Sequence, residues 1–268
     1  MMNTNQATNK SPATPAIDAR ALDEMIGQAH AGIERAMKDI RRPEARVGVV
    51  PSPLGKLLIA ESDRGLAAIH FLFVNSGDRT LAMLRKRFDL IENEANTKRI
   101  GAEIQRYFDG DASVMSHRVD FSVVESEFQR RALMTLQKVP AGSVITYQGL
   151  AAAVGKPDSQ RAIGNTMASN PIPIVLPCHR VVRSDGTIGN YGGGVDNKIK
   201  LLRVEGFDVG RDHKLPHQAV FGHSKTRIFC RPECSAAKRA NPSRMLIFAD
   251  PECASHAGMR PCKLCRPA

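Results

Sequence analysis

The chain has 268 residues, 42% of them hydrophobic, and a formal net charge of +11. That length suits two or three small domains. No apolar run is long enough to span a bilayer or to form a secretory signal core, so an intracellular, cytoplasmic protein is expected. The excess of positive charge fits a polyanion partner such as nucleic acid, or simply a basic surface kept soluble by charge.

The first 17 residues are mostly Asn, Thr, Ala, Ser and Pro without apolar periodicity, which predicts a disordered tail. Over 18–43, apolar residues recur at Leu22, Met25, Ile26, Ala29, Ile33, Met37 and Ile40. That spacing predicts an amphipathic helix with Asp18 as its N-cap and Pro43 beyond its end. Its stripe can cover the chain's own core or a partner. Residues 46–51, 56–61 and 66–73 read as strands, the last two joined through Asp63-Arg64-Gly65. Helical patterns at 78–88 and 97–108 complete a small α+β domain over 44–124, in which no catalytic carboxylate set stands out.

Residues 125–207 carry the chemistry. Ser126-Glu127-Phe128-Gln129 has the capping-box form and opens a helix to about Gln137. Thr146 caps a helix through Val154, Gly155-Lys156-Pro157-Asp158 turns, and a second helix runs over 159–168. This is a helix-turn-helix pattern, which many non-binding helical hairpins share. The apolar run from Ile172 to Val182 contains Pro177-Cys178-His179-Arg180 and reads as a buried strand. A cysteine at the lip of such a strand, with histidine beside it, is either a packed thiol or a nucleophile supplied with a base.

The surrounding motifs bear on that choice. Thr146-Tyr147-Gln148-Gly149, Arg161-Ala162-Ile163-Gly164, Asn170-Pro171-Ile172-Pro173, Gly189-Asn190-Tyr191-Gly192-Gly193-Gly194 and Glu205-Gly206 flank the Cys178 step in order. Their identity and spacing resemble the alkylguanine-DNA alkyltransferases, closely over 128–206 and more loosely over 46–124. The resemblance implies an α+β protein with a ribonuclease H-like N-terminal domain of supporting role. A helical, helix-turn-helix-containing alkyltransferase domain follows it. It also implies that Cys178 is the methyl acceptor, that His179 draws its proton through a water, and that Glu205 orients the imidazole. Tyr147 would serve guanine N3, and Asn170 would tie the helix-turn-helix to the active-site strand. Arg161 would fill the space of a flipped base, with Tyr191 and Gly192 in the loop over it. The partner implied is double-stranded DNA carrying O6-alkylguanine, with O4-methylthymine a further substrate, and no cofactor for this step. The protein would be nucleoid-associated when on DNA.

Five of the six cysteines lie between Cys230 and Cys265. Cys230 with Cys234, and Cys262 with Cys265, put two thiols each on a tight turn, and four together suit tetrahedral zinc. Cys253 falls outside both pairs. About fifty residues build little core, so metal binding would supply folding energy. A small zinc-stabilised domain is expected at 219–268, after a polar linker at 208–218. This stretch resembles the zinc domain of the Ada protein, where the first cysteine takes methyl groups from methylphosphotriesters. The resemblance implies that Cys230 is both ligand and acceptor. The domain here comes last rather than first, is shorter on its N-terminal side, and leaves no room for the AraC-type region of the Ada regulator. The sequence thus points to direct repair of DNA alkylation at two acceptors, with no obligatory protein partner. The alternative is a zinc-containing DNA-binding regulator or lesion sensor whose C-terminal module is only structural.

Overall fold

A computed structural model describes residues 18–39, 42–72 and 77–267. The tail at 1–17, the Met37 side chain and Ile40 of the helical stripe, and the strand end at Phe73 lie outside the described residues. The chain divides into two compact units, 1–42 and 43–268. In the first, α1 (Ala19–Asp39) starts at Asp18, whose carboxylate accepts the Arg20 N–H. Leu22, Met25, Ile26 and Ile33 are exposed along it. No described helix is long and apolar enough to cross a membrane.

The second unit begins with β1 (Glu44–Val50), β2 (Leu57–Ser62), β3 (Gly65–Phe71), α2 (Gly77–Arg85), β4 (Asp89–Glu92) and α3 (Glu94–Phe108). The sheet order is β3-β2-β1-β4, antiparallel except where the edge strand β4 runs parallel to β1. The four-residue β4 is too short to leave a periodic signal in the sequence. Asn93 caps α3, its side chain accepting the Asn96 N–H at 3.0 Å. The helix lies close on β1 because Gly48 has no Cβ; one placed there would come 2.6 Å from Thr97 Oγ1. Ile100, Ile104 and Tyr107 on α3 are buried.

Next come α4 (Glu127–Leu136), capped by Ser126, then β5 (Ser143–Thr146), α5 (Tyr147–Ala153) and α6 (Gln160–Ala168). The Thr146 side chain caps α5 by accepting the Gly149 N–H, and Gly155 turns the chain between α5 and α6 at φ +76°. One strand expectation fails. Residues 172–180 are buried but not a strand: Pro171, Pro173 and Pro177 lack the N–H groups a ladder needs. The segment instead folds on itself, Leu176 N–H donating to Ile172 O and Cys178 N–H to Leu176 O. Cys178–Arg180 form one 3-10 turn, and only β6 (Val181–Val182) is extended. α7 (Val195–Val204) follows the glycine run.

The C-terminal part adds β7 (Val220–His223), β8 (Ile228–Cys230), α8 (Ser235–Lys238), β9 (Met245–Phe248), α9 (Pro251–His256) and β10 (Arg260–Pro261). Two expectations change here. The segment 208–218 is not a free linker. Val209 is buried, Ile188 N–H donates to His213 O, and Leu215 N–H donates to Gly186 O. The C-terminal module is also not a separate body, because a six-stranded sheet of order β10-β8-β7-β9-β5-β6 runs through both. Polarity alone suggested a linker, but the backbone groups of 208–218 find partners in the 186–188 turn, as folded backbone must.

Candidate active site and metal centre

Cys178 sits at the floor of a cleft of about 640 Å³. Tyr147, Arg161, Met167, Tyr191 and Gly192 are among its walls. Asn170, at the end of α6, reaches into the turn: its Nδ2 donates to Leu176 O (2.7 Å) and stands 3.0 Å from Cys178 Sγ. Its Oδ1 accepts the Ile172 N–H. The end of α6 and the cysteine turn are thus pinned by one side chain. The glycine that makes close backbone approach possible is Gly193, where a Cβ would meet Phe71 and Tyr191 at 2.6–2.7 Å. Arg161 lines the cleft on the exposed side of α6.

Behind the thiol is a buried network. His179 Nε2 lies 3.1 Å from Glu205 Oε1. Bound this way, Nε2 carries the proton and Nδ1, buried and without a protein partner, keeps its lone pair. Glu205, at the end of α7, is not the exposed helix-end carboxylate its position allows but a buried one. Arg180 grips it, Nε donating to both oxygens (2.9 and 3.0 Å) and Nη2 to Oε1 (2.6 Å). Arg180 Nη1 donates to Val139 O, and Tyr107 Oη donates to Glu205 Oε1 at 2.6 Å. Burial alone would raise the Glu205 carboxyl, but His179 and then Arg180 outweigh it and hold it at about 2. Burial lowers His179 and keeps it neutral. Burial raises the Cys178 thiol, while Asn170 and Lys198 pull the other way. Lys198 is itself buried and lowered to about 8, its ammonium donating to Val181 O and Ile188 O. The site therefore offers a thiol of suppressed ionisation, a neutral imidazole with a free lone pair, and a carboxylate fixed by charge.

Arg180, Tyr107 and Lys198 join the site only in the folded structure. Arg180 stands in the Pro177–Arg180 motif, next to the histidine, and that adjacency is its one signal in the sequence. Tyr107 has none: it approaches Glu205 across 98 positions of chain.

In the C-terminal module the sulfurs of Cys230, Cys234, Cys262 and Cys265 lie within 4.8 Å of one another, and Cys253 is not among them. Four thiols so placed cannot all ionise unaided. Burial and the neighbouring Cys262 and Cys234 push Cys230 up, whereas N–H groups of Cys265 and Leu264 lower Cys262 to about 7. A dication resolves that conflict, and an all-sulfur tetrahedral set is the donor chemistry of zinc.

Residues 45–121 match the ribonuclease-like domain of 6-O-methylguanine DNA methyltransferase, and 127–207 match its DNA-binding domain. The methylated-DNA–protein-cysteine methyltransferase of Methanosarcina barkeri is 32% identical over 157 residues, 59% of this chain and 94% of that relative. The chain belongs to the methylated-DNA–protein-cysteine methyltransferases. The human member of the family is 35% identical over 173 residues, 63% of this chain and 84% of its own length. Residues 209–268 match the metal binding domain of Ada, so this family member carries an Ada-type module whose four cysteines fit zinc. The bifunctional transcriptional activator/DNA repair enzyme Ada of Escherichia coli is 31% identical over 191 residues, 69% of this chain, which spans 51% of that protein. Among solved structures, that of Mycobacterium tuberculosis OGT in complex with DNA aligns with a TM-score of 0.49 at 27% identity, covering 60% of this chain and 92% of that one.

Proposed function

We propose that this protein repairs alkylated double-stranded DNA by moving the methyl group of O6-methylguanine, and of O4-methylthymine, irreversibly onto Cys178. The observation that carries this reading is Cys178 at the floor of an open cleft, beside an imidazole anchored to a buried carboxylate. Guanine O6 is stacked inside a duplex and out of in-line reach of a thiol, so the base must be extruded at a cost of a few kcal/mol. Arg161, on the cleft rim, takes the space the base leaves, and Tyr191 and Gly192 line the pocket that receives it.

His179 Nδ1 then takes the Cys178 proton through a water, and Glu205 stabilises the imidazolium. The thiolate forms an S–C bond to the methyl carbon while the C–O6 bond breaks, and its electron pair goes to guanine. Tyr147 donates to N3 as that charge builds. Asn170 holds the thiol-bearing turn against α6. The thioether has no route back, so each chain acts once.

In the C-terminal module Cys230, Cys234, Cys262 and Cys265 hold zinc, which when bound keeps the thiols deprotonated without a general base. Cys230 is the second acceptor, taking a methyl group from a methylphosphotriester and leaving an ordinary phosphodiester. Backbone N–H groups lie against Cys262 and Cys265, the Arg231 N–H donating to Cys265 Sγ at 3.4 Å. The test is peptide mass mapping of zinc-loaded protein after exposure to DNA carrying both lesions. Methyl on Cys178 and Cys230 is expected. Methyl on Cys178 alone would reduce the module to a structural role, and methyl on neither would contradict the reading.

A further inference from the structure

Among the contacts of the C-terminal module with the alkyltransferase domain, three fall beside groups of the Cys178 site. First, β9 pairs antiparallel with β5 (Ser143↔Phe248, Val144↔Ile247), and β5 pairs parallel with β6 directly after the Cys178–Arg180 turn. The ladder thus runs from β8, which ends in Cys230, through β7, β9 and β5 to β6. Secondly, Val144, Val182, Leu202 and Phe207 share one buried cluster with Ile247 and Ala249 of the module. Thirdly, Cys253 on α9 lies against Gly206, the residue after Glu205, with Sγ 3.8 Å from where a Cβ would stand. Gly206 turns at φ +90°, so the chain leaves Glu205 through a left-handed step that α9 covers.

These contacts fall on the strand leading into Tyr147, the strand leaving Arg180, and the turn leaving Glu205. Each is a support whose displacement would move a group that acts on Cys178. Small errors matter here, since about 1 Å of misplacement can cost about a hundredfold in rate. We propose that the metal-loaded C-terminal module is a positioning element of the Cys178 site, with Ile247 and Cys253 as its contact residues, so that metal occupancy at the four cysteines sets the reactivity of the distant thiol. This rests on the function proposed above.

The test uses the full chain, zinc-loaded and after chelation. Two quantities are read: backbone hydrogen exchange, and single-turnover transfer from free O6-benzylguanine, which requires neither DNA nor base flipping. Chelation is expected to raise exchange at 143–146 and 205–207 as well as across 220–267, and to slow transfer about tenfold or more. Zinc-loaded Ile247→Asp should retain one metal ion by elemental analysis yet transfer slowly, with Ile247→Val close to wild type. Added exchange confined to 220–267, with transfer unchanged, would overturn the proposal. So would Ile247→Asp reacting at the wild-type rate. If Ile247→Asp loses its metal, the exchange comparison on the wild-type chain decides. A zinc-loaded wild-type chain that transfers nothing from O6-methylguanine in duplex DNA contradicts the proposed function, while the exchange comparison still decides the coupling.

Discussion

At the Cys178 site one thiol is surrounded by side chains brought from positions 107 to 205, whereas at the C-terminal centre four thiols from two short loops surround one another. The first arrangement sets fixed charges behind one sulfur: Glu205 balanced by Arg180, with a neutral His179, the residue after the thiol, bound to the carboxylate. The second leaves its sulfurs in conflict until a cation enters. A lone thiol therefore depends on the whole fold, and a clustered set depends on spacing and metal.

That contrast is open to attack at each end. The largest effect is expected from Cys178→Ala, which should lower transfer from O6-methylguanine by at least about a thousandfold. Binding to the same duplex, read by gel shift, should stay close to wild type, since no other wall of the cleft changes. Next is Glu205→Gln. It leaves the Arg180 guanidinium buried without its counter-charge and should cost about 3–5 kcal/mol in denaturant unfolding. An equal loss from Glu233→Gln, an exposed carboxylate between two zinc-module cysteines, would erase the distinction between the two regions.

The pH dependence sharpens the same point. Glu205 is lowered from an ordinary 4.5 to about 2 by His179 and Arg180 acting against burial. A carboxylate depressed in the folded state contributes stability that is fully present above pH 4.5 and is lost as pH falls toward 2. The advantage of wild type over Glu205→Gln, on the order of 3 kcal/mol from that shift, should shrink through that window. Thermal unfolding at pH 5 and pH 2.5 checks it, and a constant gap would mean the carboxylate's charge is not what Arg180 and His179 hold. A smaller effect is expected at Arg161. Arg161→Ala should slow repair in duplex DNA by about tenfold, part of the few kcal/mol of base extrusion, and leave transfer from free O6-benzylguanine nearly unchanged. Equal losses on both would assign Arg161 to the chemistry or the fold.

Legibility in the sequence followed the same division. The four metal-ligating positions were readable because each pair is local: two cysteines on one turn need no knowledge of the rest of the chain. Cys178, His179, Asn170, Tyr147 and Glu205 were readable through a chain of motifs, not through their geometry. Tyr107 was not readable, because a tyrosine on a helical stripe looks like core until the fold carries it to Glu205. The prolines at 171, 173 and 177 were misjudged for the opposite reason. Apolar β-branched neighbours suggested a strand, but three missing donors outweighed that propensity and produced the folded turn that presents the thiol. The union of β5 with β9 had no local signal, since pairing between strands about a hundred positions apart is fixed only by tertiary packing.

The proposed repair reaction uses Cys178 once, as an acceptor tuned by the His179–Glu205 pair. It is tested most directly by mixing limiting protein with excess duplex containing O6-methylguanine and weighing both products over time. Repaired guanine is expected to stop accumulating at one equivalent per chain, with the added methyl mass on the Cys178 peptide. Continued turnover beyond one equivalent, or a methyl group on any other residue at that stoichiometry, would contradict it.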